Sequence, residues 1–168
     1  MIVAATDTGL TGISATELDA QALPGAASEV LAGYLVEDQV GFLLRRAHQR
    51  HAALFQDGMA DTDLTPMQFT ALIKVVELGR TTQNLLGRLA AMDPATVQGV
   101  VRRLMARGLV HSAPDPMDRR TLVLAPTEAG AELAGRAVAC ARCITESTLE
   151  PLDEPERQTL LALLRKLA

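Results

Sequence analysis

Residues 93-DPATVQGVVRRLMARG-108 predict the best-defined helix in this chain of 168 residues. Asp93 can cap the first free amides, and Pro94 suits the first helical position, where a missing N–H leaves no bond unmade. Gly108 can end the helix. The apolar side chains recur at i, i+3, i+4, i+7 and i+8, which is the spacing of one buried helical face. They are Val97, Val100, Val101, Leu104 and Met105.

The opposite face of this helix is predicted to be exposed. Small and hydrogen-bonding side chains lie near its N-terminal end, and arginine follows about one turn later. The residues of this face are Ala95, Gln98, Gly99, Arg102 and Ala106, with Thr96 and Arg103 on its flanks. Such a surface can approach another molecule closely and offer it hydrogen-bond donors.

Residues 109-LVHSAPDPMDRRTLVLAP-126 predict a two-stranded hairpin with a polar, basic tip. The predicted strands are 109-LVHSAP-114 and 121-TLVLAP-126. Arg119 and Arg120 follow Asp118 at the tip, and we expect Asp118 to orient a guanidinium through a charge-assisted pair. A solvated turn is the alternative interpretation of the two arginines.

Apolar spacing and capping residues predict five more helices. They begin near Glu37, Thr65, Thr81 or Thr82, Thr127 and Asp153, and the first four end near Gly58, Gly79, Met92 and Leu149. Thr65 with Gln68, and Asp153 with Glu156, have the spacing of a capping box. The short third helix is predicted to bury Leu85, Leu86 and Leu89.

The composition favours a mainly helical domain with a localised basic region. Aromatic residues make up only 2% of the chain, and Ala and Leu are abundant. The net charge is -4, but residues 80 to 120 hold seven Lys and Arg against three Asp and Glu, whereas residues 1 to 79 hold four against ten. A basic middle between acidic flanks is typical of a local polyanion contact, although an ordinary solvated face has the same charges.

Two closely joined helices followed by a basic-tipped hairpin have the order of a winged helix-turn-helix. The helix after Asp93 has a size that fits the DNA major groove, where Gln98 and Arg102 can meet base edges. The hairpin would then lie beside the DNA backbone, so that Arg119 or Arg120 reaches phosphate or a narrow minor groove. The fold class that we expect is mainly α with a small β-hairpin.

The run 88-RLAAMDPATVQGVVRRLMARGLVHSAPDPMDRRTLVLAPTEAG-130 resembles the DNA-binding lobe of the MarR family of bacterial transcriptional regulators. The hairpin signature of that family, an acidic residue, any residue and arginine, is present as Asp118, Arg119 and Arg120. The Leu-Thr-Glu-x-Gly that follows in many members stands here as 125-APTEAG-130. The order of elements matches from about Glu37 to the C-terminus.

This resemblance implies a homodimer that binds a pseudo-palindromic, double-stranded DNA operator. It implies a MarR-type domain at 29–168, with a winged DNA-binding lobe at 62–126 and dimerisation helices at 29–61 and 127–168. Residues 1–28 depart from the short N-terminus of many members; they are rich in Ala, Thr, Gly and Ser without a sustained period, so we expect a flexible arm there. The implied DNA contacts are Ala95, Thr96, Gln98, Arg102, Arg103, Asp118, Arg119 and Arg120. The leucines of the last helix agree with a dimer because an apolar stripe needs a covering surface, although packing within one chain would also cover it.

The resemblance also implies a crevice for a small aromatic acid, and one lining is available. His48 and His51 fall on the stripe that runs through Leu44 and Phe55, so we expect both histidines to be buried. With Met67 nearby, such a pair could bind an aromatic carboxylate by hydrogen bonds and charge. The alternative is a pair of core histidines bonded to backbone or to each other.

The stretch 39-QVGFLLRRAHQRHAALF-55 is similar to regulators within the family that govern nicotinate degradation and sense a hydroxynicotinate. This narrower resemblance makes a nicotinate-pathway metabolite the expected class of effector. Repression relieved by that ligand is the mechanism we expect.

Cys140 and Cys143 allow a second interpretation, a thiol-based oxidation sensor on the same fold. Their simpler interpretation is two small residues of a helix. No further cysteines or clustered histidines supply a tetrahedral zinc site, so no metal and no cofactor are expected. A small enzyme that uses the two histidines is a third interpretation, but no catalytic motif stands next to them.

We expect neither a targeting segment nor a membrane-spanning segment. The N-terminus has no basic region followed by an apolar stretch, and no charge-free apolar run approaches about 20 residues. We therefore expect a cytoplasmic protein that has no membrane partner.

Overall fold

The computed structural model of the chain describes residues 31–118 and 120–167. The predictions for residues 1–28 and for Arg119 lie outside the described residues. The helices are α1 (Val40–Gly58), α2 (Pro66–Leu78), α3 (Gln83–Leu89), α4 (Pro94–Ala106), α5 (Glu128–Leu149) and α6 (Glu154–Leu167). The strands are β1 (Thr81–Thr82), β2 (Val110–Pro114) and β3 (Leu122–Pro126). The expected fold class, mainly α with a small β-hairpin, is confirmed.

The chain divides into two compact units after Leu43. In the first unit, the described residues form a 3-10 turn at Val36–Asp38 and the start of α1. The side-chain amide of Gln39 donates to the carbonyl of Leu35 at 2.9 Å there. The second unit, residues 44–168, contains the sheet, the other helices and the hydrophobic core.

The predicted capping residues lie at the N-termini of their helices. Thr65 and Gln68 form the expected capping box, in which the Gln68 amide donates to Thr65 Oγ1 at 3.3 Å and the Thr65 amide donates to Gln68 Oε1 at 3.0 Å. Asp153 and Glu156 form the second box, with distances of 3.0 and 2.9 Å. These local bonds satisfy amides that have no partner inside the helix.

The core of the second unit is built where α4 crosses α2 and α3. Four of the five predicted apolar residues of α4 are buried: Val97, Val100, Val101 and Leu104. They join a cluster that includes the fully buried Leu72, Val75 and Leu86. Met105 is 41% exposed, so the prediction that it is buried is wrong, because it lies at the edge of the apolar face.

The sheet has three strands in the order β1-β3-β2, not two as predicted. Thr81 pairs with Leu124 and Thr82 pairs with Val123, and both strand pairs are antiparallel. α3 begins at Gln83 and is capped by Thr82, one of the two predicted caps, whose hydroxyl oxygen accepts the Leu85 amide at 3.2 Å.

The third helix ends earlier than predicted. Its last residue is Leu89, and Ala91 has a left-handed backbone with φ of 51°. The Met92 amide donates a hydrogen bond to the carbonyl of Gly87 at 2.8 Å. Leu86 is buried, but Leu89 is 47% exposed, so the prediction that Leu89 faces inward is wrong.

Candidate DNA-binding surface and effector site

The N-terminus of α4 is held by the carboxylate of Asp93. The carboxylate accepts hydrogen bonds from the amides of Ala95 at 3.0 Å and Thr96 at 2.9 Å, and from the Thr96 hydroxyl. The bonds from the Thr96 side chain and backbone lower the pKa of Asp93 below its ordinary value. The hydroxyl proton of Thr96 is therefore engaged within the helix, which leaves its oxygen as an acceptor for other molecules.

Burial of one side of α4 turns the opposite side outward. The predicted contact residues that are exposed on this helix are Ala95, Gln98, Arg102 and Arg103, and Thr96 is half-buried. The guanidinium of Arg103 lies over Gly99, since a Cβ at Gly99 would be only 3.6 Å from Arg103 Nη1. This surface combines amide and guanidinium donors with small residues that permit close approach.

The hairpin of β2 and β3 ends in a turn that is fixed by its own polar groups. The Thr121 amide donates to the Asp118 carbonyl at 2.9 Å, and the Asp118 carboxylate accepts the Arg120 amide and the Thr121 hydroxyl, each at 3.0 Å. Asp118 therefore binds the backbone of Arg120 and not its guanidinium, which corrects the predicted pairing for that arginine. The carboxylate is bound by nearer groups, and the exposed Arg120 side chain is left to reach outward.

A second carboxylate ties this turn to the rest of the lobe. Asp115 accepts the Met117 amide at 2.8 Å, and Nη2 of Arg80, just before β1, lies 3.8 Å from the other oxygen of Asp115. The sequence did not indicate this ion pair because Arg80 and Asp115 are 35 positions apart along the chain. Met117 is 95% exposed at the tip of the hairpin.

Arg107, just after α4, makes a link that the sequence did not reveal. Its Nη1 donates to the carbonyl of Asp63 at 2.6 Å, and its Nη2 donates to the carbonyl of Thr62 at 2.9 Å. Asp63 has a left-handed backbone with φ of 49°. The C-terminal end of α4 is therefore fastened to the turn that precedes α2.

That turn lines a hollow of about 520 Å³ between the end of α1 and the start of α2. Its walls are Ala52, Phe55, Gln56, Met59, Ala60, Asp63, Leu64, Thr65 and Pro66. Of the five predicted ligand-lining residues, only Phe55 borders it. Phe55 is buried and meets Phe69 edge-on, with ring centroids 5.9 Å apart.

The two histidines of α1 have different surroundings. His51 is half-buried, with its Nδ1 3.0 Å from Thr148 Oγ1 on α5 and its ring 6.3 Å from that of Phe55. His48 is exposed, so the prediction that both histidines are buried is wrong for His48. Helical spacing places it on the apolar side of α1, but no other part of the described second unit covers that position.

The remaining predicted ligand residues are also open in the single chain. Leu44 is 46% and Met67 is 48% exposed. The structure thus brings His51 and Phe55 together, whereas Leu44, His48 and Met67 face outward.

Cys140 and Cys143 border a second hollow, of about 530 Å³, between α1 and α5. Cys140 is half-buried and Cys143 is exposed, and both are free thiols. The other lining residues are Leu54, Asp57, Gly58, Ala139, Ile144 and Ser147. The described residues contain no group of three or more His, Cys, Asp and Glu side chains that could hold a metal.

The last helix has no buried residue in the single chain. Four of its five leucines are exposed, among them Leu163 at 51% and Leu167 at 73%, and Leu160 is half-buried. Of the helices that the structure describes, none has both the length and the apolar character that crossing a membrane requires.

Comparison with known proteins assigns the family. A model described as the MarR family matches residues 62–121. The HTH-type transcriptional repressor NicR of Pseudomonas putida is 45% identical over 134 residues, which cover 80% of this chain and 85% of NicR. The chain belongs to the MarR family. The matched segment contains α4 and the tip of the hairpin, which are the elements that carry the exposed polar surface.

Two solved MarR-like structures have the same fold. A probable transcriptional regulator from Pseudomonas aeruginosa superposes with a TM-score of 0.77 at 46% identity, covering 80% of this chain and all of its own. Bordetella bronchiseptica BpsR, whose DNA binding is regulated by 6-hydroxynicotinic acid, superposes with a TM-score of 0.76 at 41% identity, covering 80% of this chain and 96% of its own. The predicted family and the winged-helix fold are confirmed, and this MarR-family chain is a DNA-binding transcriptional regulator.

The segment 125-APTEAG-130 joins the winged lobe to α5. Thr127 caps α5 by accepting the Gly130 amide at 3.0 Å, and its own amide and hydroxyl donate to the carbonyls of Leu109 and Gly108 at 3.1 and 2.7 Å. The Leu109 carbonyl lies directly against Gly130, where a Cβ would be 2.9 Å from the Leu109 carbonyl carbon. Glycine is needed here for space, because the start of the sheet passes over the first turn of the helix.

Proposed function

We propose that this MarR-family protein is a repressor that binds its operator as a homodimer and is released by a small aromatic acid. The observation that supports DNA binding is the exposed polar face of α4. Its four buried apolar residues fix the direction of its opposite face, and that face offers Gln98, Arg102 and Arg103 to solvent. Glutamine and arginine side chains on a helix of this size are suited to base edges and phosphates in the major groove.

The hairpin would add contacts outside the major groove. Arg120 is exposed at its tip, and the local bonds of Asp118 hold the turn in shape without neutralising that guanidinium. An arginine placed in this way can reach phosphate or enter a narrow minor groove. Arg119 and Asp118 remain proposed members of this contact, together with Ala95 and Thr96 on α4.

The domain division proposed for the chain separates these contacts from the dimer interface. Residues 62–126 would form the DNA-binding lobe, and residues 29–61 and 127–168 would form the dimerisation region, preceded by an arm at 1–28. The open leucines of α6 support a partner surface, because an uncovered apolar stripe on a soluble protein favours association. Sedimentation equilibrium should then give twice the mass of the chain.

The proposed effector is an aromatic carboxylate bound beside His51. BpsR supports this class of effector, since its DNA binding is regulated by 6-hydroxynicotinic acid. NicR supports the repressor part of the proposal, since it is a transcriptional repressor. The ligand must bind the non-operator geometry more tightly, or it cannot shift the equilibrium. That geometry would be one in which the two α4 helices no longer match half-sites about 34 Å apart.

A histidine replacement tests the effector part. His51→Ala should abolish the response to the acid but keep operator affinity, because the contacts of His51 are with Thr148 and Phe55 and not with α4 or the hairpin. His111→Ala, at an exposed position of β2, is the matched control and should respond as the wild type does. Operator binding is followed by fluorescence anisotropy with increasing acid. A wild-type response in His51→Ala would remove this histidine from the site.

A thiol-based sensor remains the second candidate, and one observation favours it. Cys143 is exposed and shares a hollow with Cys140, so an oxidant can reach the pair. Peroxide should then release operator DNA, and Cys140→Ser should prevent the release. Operator binding that peroxide leaves unchanged would reject this candidate.

A further inference from the structure

The hydrogen bonds around His51 form a short chain that begins in the backbone of α5. The hydroxyl of Thr148 lies 2.7 Å from the Ile144 carbonyl oxygen, one turn earlier, and donates to it. The same hydroxyl oxygen lies 3.0 Å from Nδ1 of His51 on α1. Each of these contacts is within hydrogen-bond distance, but the hydroxyl has only one proton to share between them.

The position of that proton decides the state of the imidazole. Two oxygens at 2.7 Å without a proton between them would bring their lone pairs together, so the Thr148 proton belongs on the Ile144 side. The hydroxyl can then only accept from His51, and Nδ1 must carry a proton. Whenever the imidazole is neutral, one nitrogen donates and the other accepts, so an Nδ1–H ring keeps the lone pair on Nε2.

The surroundings hold the ring in this arrangement. Arg50, the preceding residue of α1, donates from Nη2 to the Ser147 carbonyl at 2.9 Å and lies 3.6 Å from Glu150. Phe55 lies against the ring on the following turn. In the described part of the chain, Nε2 of His51 has no hydrogen-bond partner, and it is therefore available to a ligand.

We propose that Thr148 is a positioning residue that fixes His51 as the Nδ1–H tautomer, so that Nε2 accepts a hydrogen bond from the effector. This inference rests on the proposed effector function and makes it more specific. A plain aromatic carboxylate has only acceptors and cannot satisfy a neutral Nε2. An aromatic acid that also carries a hydroxyl or a ring N–H can donate to it. The site therefore selects a hydroxylated aromatic acid over its unsubstituted parent, because an unpaired acceptor would otherwise be left against the ligand.

The first part of the test needs no ligand. Nitrogen chemical shifts of His51 in the full-length protein, followed over a pH series up to the neutral imidazole, report which nitrogen carries the proton. We expect the Nδ1–H form in the wild type and in Thr148→Ser, which keeps the hydroxyl. In Thr148→Val, which has nearly the same shape, we expect the Nε2–H form to appear. An Nε2–H imidazole in the wild type would overturn the positioning role of Thr148.

The second part measures binding of 6-hydroxynicotinate and nicotinate by calorimetry. We expect the wild type and Thr148→Ser to prefer the hydroxylated acid by about tenfold, the size of one well-formed hydrogen bond. Thr148→Val should lose most of that preference and bind operator DNA as before. An unchanged preference in Thr148→Val would refute the selectivity. If the wild type binds neither acid, the proposed effector function and the selectivity both fail, and the nitrogen shifts still decide the tautomer.

Discussion

Replacing Gly130 by alanine tests the joint between the winged lobe and α5. The new Cβ would lie 2.9 Å from the carbonyl carbon of Leu109 and 3.3 Å from its Cα, with the carbonyl oxygen closer still, whereas ordinary contacts are 3.4–4 Å. The backbone must move by at least about 0.5 Å, and the Leu109 carbonyl is held by the Thr127 amide. Overpacking of this kind costs about 1–3 kcal/mol, sometimes more. Alanine in place of glycine stabilises a helix by about 0.5–1 kcal/mol, which offsets part of that cost. We expect a net loss of about 1–2 kcal/mol in the free energy of unfolding.

Gly135→Ala is the matched control on the same helix. A Cβ at Gly135 meets nothing within 4 Å, so this variant should gain about 0.5–1 kcal/mol from the helix alone. Urea unfolding followed by circular dichroism, at one fixed protein concentration, measures both changes. A Gly130→Ala protein as stable as the wild type would refute the steric argument. An equal loss in Gly135→Ala would show that the helix, and not the joint, is the cause.

The other predictions concern DNA binding and local stability. Arg120→Ala should weaken binding to operator and unrelated DNA alike and lower the salt slope by about 1, whereas Gln98→Ala should cost about 1–3 kcal/mol on the operator only. Salt-controlled anisotropy titrations separate these outcomes, and equal losses on both DNAs for both variants would contradict them. The lowered pKa of Asp93 means that its stabilisation is present above the ordinary value of 3.8 and is lost as the pH falls through the lower, folded value. The stability difference between the wild type and Asp93→Asn should therefore shrink on acidification below 3.8, and a constant difference would disprove the linkage. Arg107→Ala should lower stability by about 1 kcal/mol and speed hydrogen exchange at residues 62–65. Unchanged exchange there would show that the arginine does not hold the turn.

Local chemistry made the helices of this protein predictable. The capping pairs of Thr65 with Gln68 and Asp153 with Glu156 lie three residues apart, so their bonds depend only on the helix that they begin. The same holds for Asp93, whose carboxylate binds amides two and three residues ahead. The hydrophobic period then identified which side of α4 is buried, and with it which side is exposed.

Features that depend on distant residues were not predictable. The β1 strand exists because Thr81 and Thr82 pair with residues about forty positions later, and no local pattern indicates that pairing. Arg107 binds carbonyls 44 and 45 positions earlier. Every residue has a backbone carbonyl, so the sequence does not indicate which one will accept a hydrogen bond. Gly130 was recognised as part of a motif, but the reason for glycine appears only when the Leu109 carbonyl is seen against it.

The effector site was only partly predictable for a related reason. Helical spacing shows which residues share a side of α1, but burial depends on what lies opposite. His51 and Phe55 face α5 and α2, whereas His48 and Leu44 remain open in the single chain. The bond from His51 to Thr148 joins residues 97 positions apart and could not be read from either segment alone.

The most direct test of the central claim is a titration of the protein against the DNA upstream of its own gene, at fixed salt, with and without 6-hydroxynicotinate. We predict binding at least about 10³-fold tighter than to unrelated DNA of equal length, and a weakening of roughly 5- to 150-fold when the acid is added. Equal affinity for both DNAs would contradict sequence-specific operator binding. Tight, specific binding that neither this acid nor another hydroxylated aromatic acid disturbs would contradict the account of a ligand-released repressor.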